Sequence, residues 1–439
     1  MIKNKNNFLI VGFQDKFENS IIDEFKTRLD SVFVISSTSK ADVDFWDLHF
    51  LRIEFQNTFE YEEFTACIKY INQNYEVISN ISNRGFYYLP RNSSENKNYI
   101  SMLANFYFGY IKKNNIKNVI FSNIPHEANI YTLYLVSKFL KLNIVFCYQS
   151  HIPDRFFLIN DISQFGNFKN IKLSNRLSAQ YSLPKEWSYM RNLKKDFSYN
   201  LSNLLKEVIT KPIRAPLAMV RYFHASCYRK NIKKYTKKVD FGSDYVYFPL
   251  QLQPELTSSI LGGDYSDQLL ALESLSNSIP DGMRIYVKEN PKQTELERGE
   301  YFFKRLSQLK NVELVGRSED SRRLIKNSRL VALLNGTAGW EALFFKKSVL
   351  VFGRCWYQHF PGVKIYTPGM RFVEMTSQNF YTESELSKMH NDIMERAGKG
   401  VVDDHWMTAF DKFDKNKNAK CVVDSVLDFM EFRLNGDVS

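Results

Sequence analysis

The sequence predicts an α/β protein made of two Rossmann-type domains with parallel sheets, and three observations carry that expectation. From Tyr245 to Tyr357 one arrangement repeats: a short apolar strand, a polar or Gly/Pro-bearing loop, then a helix pattern. Residues 1–185 hold a second set of short apolar runs with helix patterns between them. The stretch 186–240 lacks strand signals and separates the two sets. Strands alternating with helices at this spacing mean βαβ units and a parallel sheet. A chain of 439 residues is long enough for two such domains, each with its own core.

In the first domain the strands expected are Phe8–Val11, Val32–Ile35, Val119–Phe121 and Ile144–Cys147, with helices over Glu62–Tyr70, Tyr99–Lys112 and Ile130–Leu140. Residues 186–240 read as a basic helical connection or arm, and 241–404 as the second domain. The second domain's strands are Tyr245–Phe248, Met283–Val287, Val312–Val315, Leu330–Leu334 and Val349–Phe352. Residues 405–439 carry a helix pattern, Val422–Met430, expected to pack back toward the first domain. Two Rossmann-like domains facing a central cleft make a GT-B-like architecture the expectation, with one large doubly wound domain as the alternative.

Hydrophobic content of 44% and charged content of 24% are ordinary for a globular protein. No apolar run approaches the roughly 18 residues of a membrane span. Phe8–Phe13 is short for a signal-peptide core and lacks a small-residue cleavage site, so a cytoplasmic location is expected. The five cysteines form no CxxC pair, which argues against a disulfide framework or a zinc site. The net charge of +11 accompanies a composition rich in Lys, Asn, Ile, Phe and Tyr, as A/T-rich coding produces. Its local distribution says more: 221–238 holds seven basic residues and no acid, with Tyr222, Phe223 and Tyr228 among them. Such a segment suits peripheral contact with an anionic membrane, or is a solvated connecting helix. No nucleic-acid motif accompanies it, so no nucleic-acid partner is expected.

In open parallel sheets ligands bind beyond the carboxyl ends of the strands, and the candidate residues sit in those loops. Asn335-Gly-Thr-Ala-Gly-Trp-Glu341 lies between a strand and a helix. Gly336 and Gly339 permit close approach of the backbone, and the helix start offers N–H groups to a phosphate. Asn335 and Ala338 belong to the same turn, Thr337 adds a hydroxyl, and Glu341 is placed to accept from ribose hydroxyls; a plain βα turn is the alternative. In Lys288-Glu-Asn-Pro291, Lys288 and Asn290 are phosphate-side candidates, and Pro291 fixes the turn. Glu255, just past the first strand of this domain, is a candidate nucleophile or base. In the first domain His126 and Glu127 are the acid/base candidates, and Asp154 and Arg155 are weaker ones. The Asp42-Val-Asp44 pair comes too early for a metal–nucleotide site, and Asp414–Asn418 fails as a calcium loop because Ala419 and Ser425 stand where Gly and Glu are required. No metal site is expected.

Taken together, Tyr247–Glu255, Lys288–Pro291, Gly336–Ala342, Val349–Gly353 and, in the first half, Phe121–Glu127 resemble the bacterial capsule polysaccharide synthesis family, which includes KpsS- and KpsC-like Kdo transferases. The resemblance covers roughly 115–160 and 240–360. It implies a metal-independent, GT-B-like glycosyltransferase without a cofactor, using a CMP-activated ulosonic acid (Kdo or a nonulosonic acid) as donor and a glycan or lipid-linked glycan as acceptor. It places Glu255 at the acidic position of the chemistry, Lys288 and Thr337 on the phosphate side, and Glu127 on the acceptor side. For such an enzyme the basic segment 221–238 would hold the chain near a lipid-linked acceptor, in peripheral contact with the inner membrane. Two positions depart from the family: Asn290 stands where many members have His in a Lys-x-His-Pro motif, and Gln251 where His is frequent. Asn donates a hydrogen bond but carries no positive charge, which keeps two alternatives in play: a GT-B enzyme using a UDP-sugar or CDP-polyol, and a non-catalytic capsule-assembly protein.

Overall fold

A computed structural model of the chain describes residues 7–14, 19–55, 59–82, 92–168, 171, 173, 199–376 and 381–436. They gather into two compact units. One is formed by Met1–Ser82, Arg91–Tyr181 and His390–Ser439, the other by the stretch Ser182–Met389.

The first unit is built on β1 (Asn7–Val11), β2 (Val32–Ser36), β3 (Val43–Asp44), β4 (Ile116–Phe121), β5 (Asn143–Gln149) and β6 (Arg155–Ile159). β1 lies between β2 and β4 and is parallel to both; β5 is parallel to β4, and β6 turns back antiparallel on β5. The central strands are apolar on both faces, as strands covered by helices on both sides must be. One face, with Phe8, Ile10, Val34, Ile120 and Val145, packs against Ile21, Ile22 and Phe25 of the helix Asn19–Arg28. The same cluster takes in Ala419, Val422, Val423 and Val426 of the last helix, Lys415–Gly436.

The second unit holds β7 (Thr236–Lys237), β8 (Tyr245–Pro249), β9 (Arg284–Lys288), β10 (Val312–Val315), β11 (Leu330–Leu333), β12 (Ser348–Val351) and β13 (Val363–Ile365), in the order β13-β12-β11-β8-β9-β10-β7, all parallel. Val246, Phe248 and Leu250 face one core with Ile285, Val287, Leu330 and Ala332. The long helix Ala215–Tyr235 joins that core through Tyr228, Ile232 and Tyr235. The final strand, β14 (Gly398–Lys399), pairs antiparallel with β6, so the first sheet reads β14-β6-β5-β4-β1-β2-β3. The second unit therefore ends at Met389 rather than at 404, because the chain beyond it is drawn into the first sheet.

Each sheet has one place where the direction of strand addition reverses. In the first, the chain steps from β1 out to β2 and β3 and resumes on the other side of β1 with β4. In the second, β8, β9 and β10 run one way, and β11, β12 and β13 resume from the other side of β8. The neighbouring loops diverge at such points and leave a crevice beyond the strand ends.

Candidate functional site

In the second unit the β8 and β11 loops border that crevice. Gly336 sits against the Gln251 amide so closely that a Cβ there would overlap it. Asn335, which is buried, donates from Nδ2 to the Thr257 carbonyl at 2.6 Å, joining the β11 loop to the β8 loop. Its Oδ1 is also buried and has no hydrogen-bond partner among the described residues. A buried acceptor left unmade costs about 1–3 kcal/mol, so this position favours a ligand that supplies a donor. The buried Tyr357 hydroxyl donates to the Gly336 carbonyl and holds the turn from behind. Burial, and then the nearby Cys355, push that phenol far above its usual range, so it stays a donor.

The helix Thr337–Phe344 starts here, with Gly336 as its extended N-cap and no side chain capping its first N–H groups. Those groups, and the positive end of the helix, are available to an anion. Thr337, Ala338 and Glu341 are half-buried on its first turns, and Gly339 is buried where a Cβ would strike the Tyr357 hydroxyl. Glu255 is half-buried two residues before Thr257. Its Oε1 accepts from the Leu256 N–H at 3.3 Å, and its own N–H donates to the Ser258 hydroxyl at 3.3 Å. Glu255 and the Asn335–Thr337 turn thus belong to one rim.

Lys288 and Asn290 lie one strand further on, at the end of β9. The Lys288 ammonium donates to the Glu319 carbonyl at 2.6 Å and to the Ser321 hydroxyl at 2.7 Å, at the start of the helix Ser321–Asn327. Burial lowers its pKa, while Asp320 and Glu319 oppose the fall. Asn290 accepts from the Lys292 N–H at 2.9 Å in a local turn, and Arg317 donates to the Pro291 carbonyl at 2.6 Å. The β9 candidates are therefore engaged toward β10, whereas the β8 and β11 candidates meet each other.

The residue between Lys288 and Asn290 holds the rim together. Glu289 is fully buried and paired with the fully buried Arg298 at 2.9 Å. Arg298 also donates to the Gln253 side chain at 2.9 Å and to the Gln251 carbonyl at 3.4 Å. Gln268 grips the Gln251 main chain, accepting from its N–H at 2.7 Å and donating to its carbonyl at 2.9 Å. Gln293 does the same for Gln253, at 2.9 and 2.8 Å. Of these residues sequence reasoning singled out only Gln251; the one available signal for the others was the density of glutamines after β8.

In the first unit, a pocket of about 90 Å³ lies at the reversal point, lined by Gly12, Phe121, Asn123, Pro125, His126 and Glu127 among others. His126 Nδ1 donates to the Ile124 carbonyl at 3.0 Å, so the neutral ring keeps its Nε2 lone pair for another proton. Glu127 is the N-cap of the helix Ala128–Phe139 and spends no side-chain bond on capping it. Asp154 and Arg155 sit where the β5–β6 hairpin turns, with Arg155 buried in β6. The rejected motifs have structural work: Asp42 accepts from Val34 N–H, Asp44 caps the helix Phe45–His49, and Asp414 accepts from Asn416 and Lys417 N–H groups.

Comparison with known proteins bears on the stretch that carries the second-unit rim. Residues 167–374 match the family model described as capsule polysaccharide biosynthesis protein, the family the motifs resemble. Among solved structures, the β-Kdo 2,7 transferase of Thermosulfurimonas dismutans KpsC is 11% identical with a TM-score of 0.34, over 89% of this chain and 90% of that one. Its β-Kdo 2,4 transferase is 14% identical with a TM-score of 0.29, over 65% and 84%. The UDP-GlcNAc 2-epimerase of Methanocaldococcus jannaschii is 10% identical with a TM-score of 0.25, over 95% and 98%. A search of curated proteins returned no match. At such identities and scores the fold rests on the strand order itself.

Proposed function

We propose that the chain is a glycosyltransferase of capsule or surface polysaccharide synthesis, transferring an ulosonic acid from a CMP-sugar to a glycan or lipid-linked glycan acceptor. The observation that carries this reading is the rim at the second sheet's reversal point. A carboxylate, an uncapped helix start and a buried unpaired acceptor meet there within the stretch that matches the capsule family. The phosphate of the donor binds the N–H groups at the start of Thr337–Phe344, and Asn335 Oδ1 accepts from a ligand N–H or O–H. Glu255 then has one of two roles. In a retaining reaction its oxygen bonds the anomeric carbon as the bond to phosphate breaks, and CMP leaves with the electron pair. In an inverting reaction it takes the proton of the acceptor hydroxyl. His126, with its Nε2 lone pair free of the Ile124 contact, and Glu127 are the first unit's candidates for handling an acceptor hydroxyl.

A second reading has its own observation. Lys288 is engaged within the protein and Asn290, itself in a local turn, carries no charge, so a donor phosphate has no ready cation at these positions. That favours the non-catalytic capsule-assembly role, which needs no donor phosphate.

Glu255→Gln is expected to lower kcat by about a thousandfold while leaving nucleotide-induced stabilisation intact. Full turnover of a CMP-sugar by this variant overturns the catalytic assignment. Thermal shift with CMP, UDP and CDP-glycerol separates the donors. Stabilisation by none of them favours the assembly role.

A further inference from the structure

Beyond the proposed site, the most exposed apolar surface in the described chain is on the helical hairpin formed by Leu201–Thr210 and Ala215–Tyr235. The two helices meet through Tyr199, Ala218 and Ala225, with Leu204 and Tyr222 packed alongside. The longer helix is anchored at its far end by Tyr228, Ile232 and Tyr235 on the second core, and midway by the Arg221–Glu295 ion pair at 3.1 Å. The other end reaches outward. Leu201, Leu205 and Ile209, four residues apart, share one helix face, and no residue of that helix is buried. Ile209 is 78% exposed, Ile213 in the turn 96%, and Phe223 65%, with Met219 exposed between them. Isolated exposed apolar residues need no account; a run of them at one end of a hairpin does.

The charge around them identifies what covers them. Residues 199–238 contain ten basic residues and one acid, Glu207, which accepts from the Tyr199 hydroxyl at 2.7 Å. Lys206, Lys211, Arg214, Lys230, Lys233 and Lys234 are all exposed. A second copy docking here would bring two strongly cationic surfaces together, and protein interfaces are depleted in lysine. A nucleic acid would meet mostly aliphatic tips, with Phe223 the one strongly exposed apolar ring among them, which gives bases little to stack on. Aliphatic and aromatic side chains projecting amid lysines match the interfacial layer of an anionic bilayer, where apolar groups enter the acyl boundary and ammonium groups meet lipid phosphates.

We propose that the hairpin seats the protein on an anionic membrane surface by inserting the apolar residues around the 211–214 turn. The contact thus centres on 201–223, while much of the basic run 221–238 supports it from the core side. This placement does not depend on which sugar is transferred. The test is flotation of the full-length protein with phosphatidylcholine vesicles, with and without about one third phosphatidylglycerol. Binding is expected only to the anionic vesicles and to weaken as salt rises. Ile209→Asp with Ile213→Asp is expected to weaken it by roughly tenfold or more, with the thermal unfolding curve and nucleotide stabilisation unchanged because both positions are exposed. Lys206→Gln with Lys211→Gln is expected to weaken it by a smaller factor and to flatten the salt dependence. Equal binding by the aspartate variant overturns insertion. Equal binding to neutral vesicles overturns the charge argument. A dimer in light scattering that Ile213→Asp dissociates, without vesicle binding by the parent protein, overturns the membrane as occupant.

Discussion

The two reversal points occupy equivalent places in their sheets and are built in opposite ways. At the β8/β11 point the loops are cross-braced beneath the rim by amide side chains on main-chain groups and by the buried Glu289–Arg298 pair. At the β1/β4 point a small pocket is lined by Phe45, Phe121, Ile130, His126 and Glu127 among others, and His126 leans on one carbonyl. Under the proposed function, the contrast shows where precision is needed. A site that must stabilise charge building on a phosphate gains from groups already fixed in place. A site that only has to admit a hydroxyl tolerates a looser frame.

The largest effect expected from breaking this contrast comes from Arg298→Met. It strands Glu289 as an uncompensated buried carboxylate and should cost about 4 kcal/mol. A chemical-denaturation curve of the second unit's transition checks this, and Glu289→Gln added to Arg298→Met should recover part of the loss. An unchanged midpoint would mean the bracing is idle.

Next in size is a pH effect confined to the first unit. His151 and His390 are buried with their Nε2 atoms 2.7 Å apart, one donating to the other. Burial holds both below the usual histidine range, His390 at about 4 although the Asn391 side chain opposes the fall, and charge on His390 further disfavours protonation of His151. Between about pH 6.5 and 4 the unfolded chain takes up protons that the folded pair refuses. Stability is therefore whole above 6.5 and falls as the pH drops toward 4, by about 3 kcal/mol from His390. Calorimetry at pH 7.5 and pH 5 should show the first unit's transition falling more than the second's. His390→Gln should flatten that difference.

The smallest effect belongs to Gly336→Ala. The new Cβ has to displace the end of the Gln251 side chain, a flexible group, at a cost of about 1 kcal/mol. Its consequence for ligand binding should exceed its consequence for stability, as thermal shift with and without nucleotide would show. Gly353→Ala, which meets the Leu261 carbonyl at 2.6 Å and the Gly262 Cα at 3.0 Å, should be the more destabilising of the two.

Much of the fold was legible because its central strands are continuous apolar runs with helix patterns between them. Tyr245–Phe248 and Leu330–Leu334 read as strands, and the structure has buried strands there over Tyr245–Pro249 and Leu330–Leu333. β6 was hidden by Arg155 at its start, a charge that reads as loop although it is buried here. β14 is two residues long and pairs with β6, which no local pattern announces. In the candidate site, the glycine turn and Glu255 could be proposed from loop position alone. Glu289 was not, since a carboxylate in a loop reads as solvated until its partner nine residues later is known to fold over it. Lys288 illustrates the converse: a lysine after a strand reads as a ligand group, but the helix start beside it already supplies its acceptors.

The return of β14 and the last helix to the first sheet sets an order of assembly during synthesis. The first unit's core includes Val401, Val422 and Val426, so it stays short of that packing until those residues leave the ribosome. The described residues of the second unit come from one continuous stretch, Ser182–Met389, and need no such wait. On the translating ribosome, the unit encoded in the middle is the one able to finish first, and the unit begun first closes last.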